Sequence, residues 1–406
     1  MTGVTITTSC CVVGGGPAGM MLGVLLARAG VETVVLEKHA DFLRDFRGDT
    51  IHPSTLEMLA ELGWIEDFLR LPHQEIRNVG VDVCGVHVPV ADFSHLPVRC
   101  RFVALMPQWD FLDFLAGWGA TFPSFQLRRR SEATGLIIEG DQVVGVQAQE
   151  PGRTLTVRSR LVVATDGRHS RMRAAAGLTV QDLGAPIDVL WMRLPRLPSD
   201  PEAVLGNVRA GHLLVLISRG DYWQCAYVIP KDGYGAVRQA GLDAFRHAVA
   251  ETAPMLAGRT DALKSWDDVK VLTVKVDRLE QWCRPGLLCI GDAVHAMSPI
   301  GGVGINLAIQ DAVAAGRILA PSLRRGEAPD LATLRRVQRR RGWPTRATQR
   351  LQVLAQNRII GPVLAGSGDG ALPVPLRMLQ RFPALRRVPA RVLGLGFRPE
   401  HTGPHP

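Results

Sequence analysis

The chain has little that would carry it into or across a membrane. No apolar run approaches the length needed to span a bilayer. The N-terminus lacks a charged lead followed by an apolar core and a cleavage site. Residues 4–13 instead mix Val, Ile and Thr and read as a first strand, so a cytoplasmic protein is expected. The 7 cysteines are odd in number and show no metal-ligand spacing. That argues against both a metal site and a disulfide framework. Cys10, Cys11 and Cys289 fall in predicted strands and are expected to be small buried hydrophobes. Repeats and low-complexity tracts are missing, as is any recognisable nucleic-acid module. No Ser/His/Asp triad with a convincing context appears. Tyrosine is nearly absent: all 3 lie between residues 222 and 234.

What remains is a 406-residue chain, 46% hydrophobic, long enough for a sizeable core and two joined domains. The net charge is +9, and much of the excess is arginine in the last third, such as Arg335, Arg336, Arg339, Arg340 and Arg341. A basic helix can meet nucleic acid or an anionic membrane. The reading adopted is a solvated face, with no nucleic-acid partner.

The first strand runs into Gly14-Gly15-Gly16-Pro17-Ala18-Gly19. A helical run follows to about Ala29, Gly30 suits its end, and Val31 to Leu36 reads as a second strand closed by Glu37. This is a βαβ unit with G-x-G-x-x-G in its first turn. In such a unit the first glycine permits the tight turn, the second lets the backbone meet a pyrophosphate, and the third lets helix and strand pack closely. Glu37 stands where a ribose-binding acid belongs, about 20 residues on. Two further strand ends carry polar turns. Leu161 to Ala164 leads into Thr165-Asp166-Gly167-Arg168. Leu288 to Ala312 reads as a strand, a Gly-Asp turn, a glycine-rich loop and a helix starting near Gly304. Asp292 at such a strand end can hold a sugar or phosphate hydroxyl. The helix points its positive end at whatever sits in the loop.

GGGPAG at 14–19, ATDGRHSRMR at 164–173 and CIGDAVHAMSPIGGVGIN at 289–306, in that order, resemble the single-component flavin-dependent aromatic hydroxylases, the p-hydroxybenzoate hydroxylase-like family. The resemblance covers most of the chain. It implies an α/β fold: a Rossmann-like FAD-binding domain interleaved with a β-sheet substrate domain, then C-terminal helices. The expected divisions are 1–75, 100–180 and 278–345 for the FAD-binding domain, 76–99 and 181–277 for a mainly antiparallel substrate domain, and 346–406 for a C-terminal helical region. Carried over by position, Gly14, Gly16, Ala18 and Gly19 would face the FAD pyrophosphate and Glu37, with Lys38 beside it, the adenosine ribose. Arg44, Arg47 and Gln108 would contact FAD. Asp166 and Gly167 would lie near both the FAD pyrophosphate and the pyridine nucleotide, and Asp292 would hold the ribityl or pyrophosphate portion. Pro299, Gly301, Gly302, Gly304, Ile305 and Asn306 would pass beside the flavin ring. Val303 replaces a Lys of the family's best-known member, so no role that depends on that Lys is expected. The extra thioredoxin-like domain of the larger phenol hydroxylases is not expected either.

The activity implied is reduction of FAD by NADH or NADPH, reaction with O2 to a C4a-hydroperoxyflavin, and hydroxylation of an aromatic, polyketide-like or quinolone-like small molecule. Alternatives within the same fold are an epoxidase, an oxidoreductase without oxygen insertion, and a flavin-free carrier like the GDP-dissociation inhibitors. The W-x-W-x-I-P string of flavin halogenases is missing. His295, next to the Gly-Asp turn, is expected to be structural. On the substrate side, Tyr222, Gln224 and Ala226 should share one strand face and Trp223, Cys225 and Tyr227 the other. His212, Tyr222 and Gln224 are the candidate substrate contacts. The Arg- and Pro-bearing stretch from Leu372 to Phe397 is expected to pack on the FAD domain, with peripheral membrane contact as the alternative. A monomer or homodimer is expected.

Overall fold

The computed structural model describes residues 3–43, 50–201, 204–209, 211–361 and 372–403. Its first sheet is built on five parallel strands, in the order Leu287–Cys289, Arg153–Ala164, Gly3–Val13, Thr33–Leu36 and Phe125–Arg128. Runs such as CCVV, TVVL and LVVA are buried on both faces, as strands covered by helices must be. A meander of Glu132–Glu139 and Gln142–Glu150 pairs antiparallel with the outer half of Arg153–Ala164. The strand that ends at Ala164 thus starts as early as Arg153. Helices Pro17–Arg28, Gln108–Ala120 and Gly304–Arg324 pack on this sheet.

The second sheet has seven strands: Lys270–Leu272, Ile187–Pro195, Tyr222–Pro230, His212–Ser218, Val204–Arg209, Asn78–Val83 and Val86–Asp92. All neighbours are antiparallel except Val204–Arg209 beside Asn78–Val83. Helices Tyr234–Ala240 and Leu242–Thr252 cover one face. Leu242, Phe245 and Val249 supply the spacing of three and four that marks the longer one. A small sheet of Thr50–Ile51, Val103–Leu105 and Gln74–Ile76 lies apart from both. Helices Pro53–Glu61 and Ile65–Leu69 follow one another and are split where Gly63 takes φ +81°.

Two expectations need correction. Helix Gly304–Arg324 is long and apolar enough to cross a membrane by length and composition. It is an interior helix nonetheless: it packs on Pro17–Arg28 and on helix Leu331–Ala355 and buries Asn306, Gln310 and Asp311. The division expected at 345/346 falls inside Leu331–Ala355, which continues into a π-helical turn at Gln356–Ile360. Six of the seven cysteines are buried and only Cys84 is exposed. Burial pushes the Cys10 thiol up to about 12, so it serves as a core hydrophobe.

A buried ionic chain joins these parts. Asp311 Oδ1 accepts from Arg341 Nε at 3.0 Å, and Asp311 Oδ2 lies 2.6 Å from His295 Nε2. Asp311, Arg341 and His295 all have 0% exposure. Arg341 Nη1 also donates to the Arg398 carbonyl at 2.9 Å and to Glu400 at 3.3 Å. Glu400 accepts in turn from Arg317 and Arg340. Burial alone would raise the Asp311 carboxyl, but the facing His295 and Arg341 outweigh it and hold it below the usual range. Burial alone would lower His295, and the Asp311 carboxylate outweighs that too, so His295 is raised.

Removing one member of such a chain strands the others. Arg341→Ala is expected to cost about 3–5 kcal/mol in urea unfolding; a loss within experimental error would show the chain to be dispensable. A histidine whose folded pKa is raised stabilises fully below its ordinary 6.5 and loses that contribution as pH climbs through the folded value. The thermal midpoint of the native chain should therefore exceed that of His295→Gln most at acid pH, with the gap closing in alkali. A gap independent of pH would contradict this.

Candidate functional site

Val13 is in register with Ala164 on one side and Leu36 on the other, and Ala164 with Cys289. The residues that follow, Gly14, Glu37, Thr165 and Ile290, therefore leave the sheet along one edge. This edge lies at the carboxyl ends of parallel strands, where doubly wound sheets bind ligands. Motifs about 150 and 125 residues apart in the chain thus become neighbours in space.

The glycines divide by what demands them. Gly14 takes φ +108°, and a Cβ there would lie 2.5 Å from the Thr165 carbonyl oxygen. At Gly19 a Cβ would lie 1.9 Å from the Gly14 carbonyl oxygen. Both serve the fold. Gly16 faces open space, with no atom within 4 Å of a Cβ built on it. No protein atom demands glycine there, and the space beside the backbone is open. Gly16 also caps helix Pro17–Arg28 without any side-chain partner for the helix's first N–H groups, the arrangement that receives an anion.

Glu37 is tied to this loop. Its Oε2 accepts from Gly15 N at 3.0 Å and its Oε1 from His39 N at 2.9 Å. Lys38 beside it is exposed. Gln108 is half-buried at the start of helix Gln108–Ala120, and Arg44 and Arg47 lie outside the described residues. Asp166 is spent locally: it accepts from the Ser170 hydroxyl and from Met172 N at 3.1 Å, so it shapes the turn before helix Arg171–Ala175. Gly167, at φ +83°, faces open space beside it.

The third motif is bolted to the other two. A Cβ on Gly291 would lie 3.0 Å from Ala18 Cβ and 3.2 Å from Ala308 Cβ, and Gly291 N donates to Asp311 at 3.2 Å. Arg173, which sequence reasoning quoted but gave no role, donates to the carbonyls of Ala293 and Arg168 and lies 3.8 Å from Asp277. Asp292 is half-buried, and its carboxylate has no hydrogen-bond partner among the described residues. His295 sits in the interior against Asp311 rather than at this edge.

Beyond Asp292 the chain enters the glycine-rich loop. Gly301 and Gly302 have φ +76° and +62°, and added Cβ atoms would lie 2.8 Å from Leu393 Cδ2 and 2.4 Å from Thr50 Oγ1. These two glycines are thus explained by turn geometry and packing, without a ligand. The Asn306 side chain is likewise committed. Its Oδ1 accepts from His52 N and Thr55 Oγ1, both at 2.8 Å, and its Nδ2 donates to the Thr50 carbonyl at 3.1 Å. The backbone N–H groups of Gly304, Ile305 and Asn306 have no partner among the described residues, which leaves the positive end of the helix facing the loop. Three buried glutamines fix the loop from behind. Gln349 Nε2 donates to the carbonyls of Asp277 and Ala296, Gln352 Nε2 to those of Ser298 and Ile300, and Gln356 Nε2 to the Ser298 hydroxyl. Their spacing of three and four on one helix face was the available signal, hidden among arginines.

On the second sheet, Trp223, Cys225 and Tyr227 pack under helix Leu242–Thr252, while Ala226 and Val228 point the opposite way and cluster with Val189 and Ile300. Tyr222 and Gln224 share this inner face by alternation. The Arg193 guanidinium lies 5.2 Å from the Tyr222 ring centre, and Gln224 Oε1 accepts from Arg219 Nε at 3.2 Å. His212 does not join them. It alternates with the helix-covered Leu214 and Leu216, and its Nδ1 lies 2.7 Å from Tyr227 OH. The even positions of that strand face away from the loop, which removes His212 from the substrate candidates.

A family profile described as an FAD binding domain matches residues 7–350. The 6-methylpretetramide 4-monooxygenase of Streptomyces rimosus is 32% identical over 388 residues, 95% of this chain and 92% of that one. The rifampicin monooxygenase of Streptomyces venezuelae is 29% identical over 76% of this chain and 63% of its own longer length. Among solved structures, the OxyS anhydrotetracycline hydroxylase from Streptomyces rimosus superposes with a TM-score of 0.76 at 24% identity, over 99% of this chain and 78% of that one. PqsL, a probable FAD-dependent monooxygenase from Pseudomonas aeruginosa, gives 0.74 at 20% identity, over 89% and 98%. These last two show the shared fold. The reading as a flavin-free carrier gives way to these matches, and the chain belongs to the family of FAD-dependent aromatic hydroxylases.

Proposed function

We propose that this protein is an NAD(P)H- and O2-dependent monooxygenase that hydroxylates a polycyclic aromatic polyketide. FAD, when bound, supplies the electron transfer and the oxygen chemistry. The observation that carries the reading is the position of Ile300. It belongs to the glycine-rich loop, yet it packs in one cluster with Val189, Ala226 and Val228 of the second sheet. The loop that closes the cofactor edge and the inner face of that sheet are therefore the two walls of one site.

In this reading Gly16 and the first turn of helix Pro17–Arg28 receive the FAD pyrophosphate, Glu37 the ribose, and Asp292 the hydroxyls of the ribityl chain. The N–H groups of Gly304, Ile305 and Asn306 would favour negative charge on the flavin held there. Asn306 acts through its backbone, because its side chain holds Thr50 and His52. Asp166 positions Gly167 and Arg173 rather than touching FAD through its carboxylate.

The substrate face is largely aliphatic: Val189, Leu213, Val215, Ala226 and Val228. Its polar end is Tyr222 and Gln224, with Arg193 and Arg219 behind them. None of the described residues accepts from Gln224 Nε2, so this donor is available to a substrate oxygen. A flat, mostly apolar molecule with oxygens at one end fits that division. The 6-methylpretetramide, rifampicin and anhydrotetracycline named for the relatives support the class.

Two measurements test the proposal. Gly16→Ala meets no protein atom, so the apoprotein should keep its thermal midpoint and lose FAD affinity at least tenfold. Gly19→Ala should lower the midpoint as well, because its methyl overlaps the Gly14 carbonyl. Normal FAD affinity in Gly16→Ala would sink the cofactor placement. For the activity, NAD(P)H consumption should be stimulated by some member of a panel of polycyclic aromatic polyketides, phenols and quinolones. The product should be one oxygen heavier and labelled from isotopic O2. An unlabelled product would point to an oxidoreductase without oxygen insertion.

A further inference from the structure

The C-terminal helices present apolar faces in two opposite directions. Inward, Leu376 and Leu379 pack on Val83, Val88 and Val208, and Ala390 and Leu393 pack with Phe93, Leu96 and Ile217. Outward, Val374, Met378, Phe382, Leu385 and Val388 are 58%, 48%, 53%, 37% and 64% exposed. The first three recur every four residues, so they line one side of helix Val374–Arg381 and its end. Leu385 and Val388 carry the apolar exposure past the turn at Pro383 into helix Arg387–Gly394. Apolar side chains scattered singly need no explanation, but five within fifteen residues do.

The charges within the segment itself are all of one sign. Arg377, Arg381, Arg386, Arg387 and Arg391 are interleaved with the apolar residues, and no Asp or Glu occurs from Val374 to Pro399. None of the five arginines forms an ion pair among the described residues. Arg386 donates to the Leu379 and Gln380 carbonyls and Arg387 lies near Asp92, but Arg377, Arg381 and Arg391 are exposed and have no partner among the described residues. Apolar side chains set among these cations match an anionic lipid surface. The apolar groups enter the acyl boundary while the guanidinium groups reach lipid phosphates. A second copy of this chain is a poor occupant, since a two-fold contact would press Arg377, Arg381 and Arg391 against themselves.

We propose that Val374–Gly394 seats this protein peripherally on an anionic membrane surface, with the Asn78–Asp92 hairpin of the second sheet directly behind the contact. The proposal rests on the surface alone and holds whatever the substrate is.

The test uses the FAD-loaded full chain and vesicles of phosphatidylcholine with or without phosphatidylglycerol. Cosedimentation is expected with the anionic vesicles at low salt, with little binding to neutral ones and a loss at high salt. The double variant Phe382→Ser, Val388→Ser should reduce partitioning at least tenfold with an unchanged flavin spectrum and thermal midpoint. No cosedimentation of the native chain, or equal partitioning of the variant, would overturn the proposal. So would binding abolished by Arg336→Glu with Arg339→Glu but untouched by the double serine variant, which would place the contact on the other arginine-rich face. A dimer in solution that the two serines dissolve would identify a second copy as the occupant instead.

Discussion

The fully buried pair of Asp311 and Arg341 gathers the distant parts of this chain. Asp311 lies on the interior helix Gly304–Arg324, whose start faces the glycine-rich loop. Its carboxylate accepts from Gly291 N and from His295, so it fixes the Gly-Asp turn on one side. Arg341 lies on the next helix and reaches the Arg398 carbonyl and Glu400, so it fixes the C-terminal segment on the other. Two charges removed from water carry a desolvation cost of several kcal/mol each, which is offset only where every donor and acceptor is met. Here most are. Within this ionic chain the exception is His295 Nδ1, which has no partner among the described residues.

That pair explains why the cofactor edge and the carboxyl-terminal region are one structural unit. Gly291 touches Ala18 of the first glycine loop, Arg173 bridges from the second motif to Ala293, and Leu393 of the last helix touches Gly301. The three motifs hold one another through backbone groups and small side chains. Little of this depends on a cofactor. Gly16, Asp292 and the open N–H groups at Gly304 to Asn306 are the positions the protein itself does not use.

Much of this was legible in the sequence, and what failed did so for identifiable reasons. The βαβ unit, the buried strand runs and the three strand-end turns were readable because backbone geometry restricts those positions to glycine, β-branched residues and short polar residues. The pairing faces around Tyr222 followed from the two-residue period alone. The interior helix defeated a hydropathy judgement because burial in protein and burial in lipid demand the same composition; Asp311 and Gln310 were the sign that partners lay nearby. His212 went wrong because period two assigns residues to faces without saying which face is covered, and that depended on a helix, Leu242–Thr252, with a weak apolar stripe. The commitments of Asn306 and Asp166 involve partners far along the chain or in capping geometry, and no local pattern announces them. The glutamines at 349, 352 and 356 had a pattern, but their targets were carbonyls and one hydroxyl more than 50 residues away.

Those glutamines have an evolutionary consequence. Gln349 and Gln352 hold the segment 296–300 by its carbonyl oxygens, Gln356 holds Ser298 by its hydroxyl, and the Ile300 side chain is held only by apolar packing. A carbonyl is the same whatever residue bears it. Met297, Pro299 and Ile300 can therefore be exchanged without moving the path of the loop, so descendants of this chain can alter what the wall of the site accepts while the cofactor edge keeps its shape.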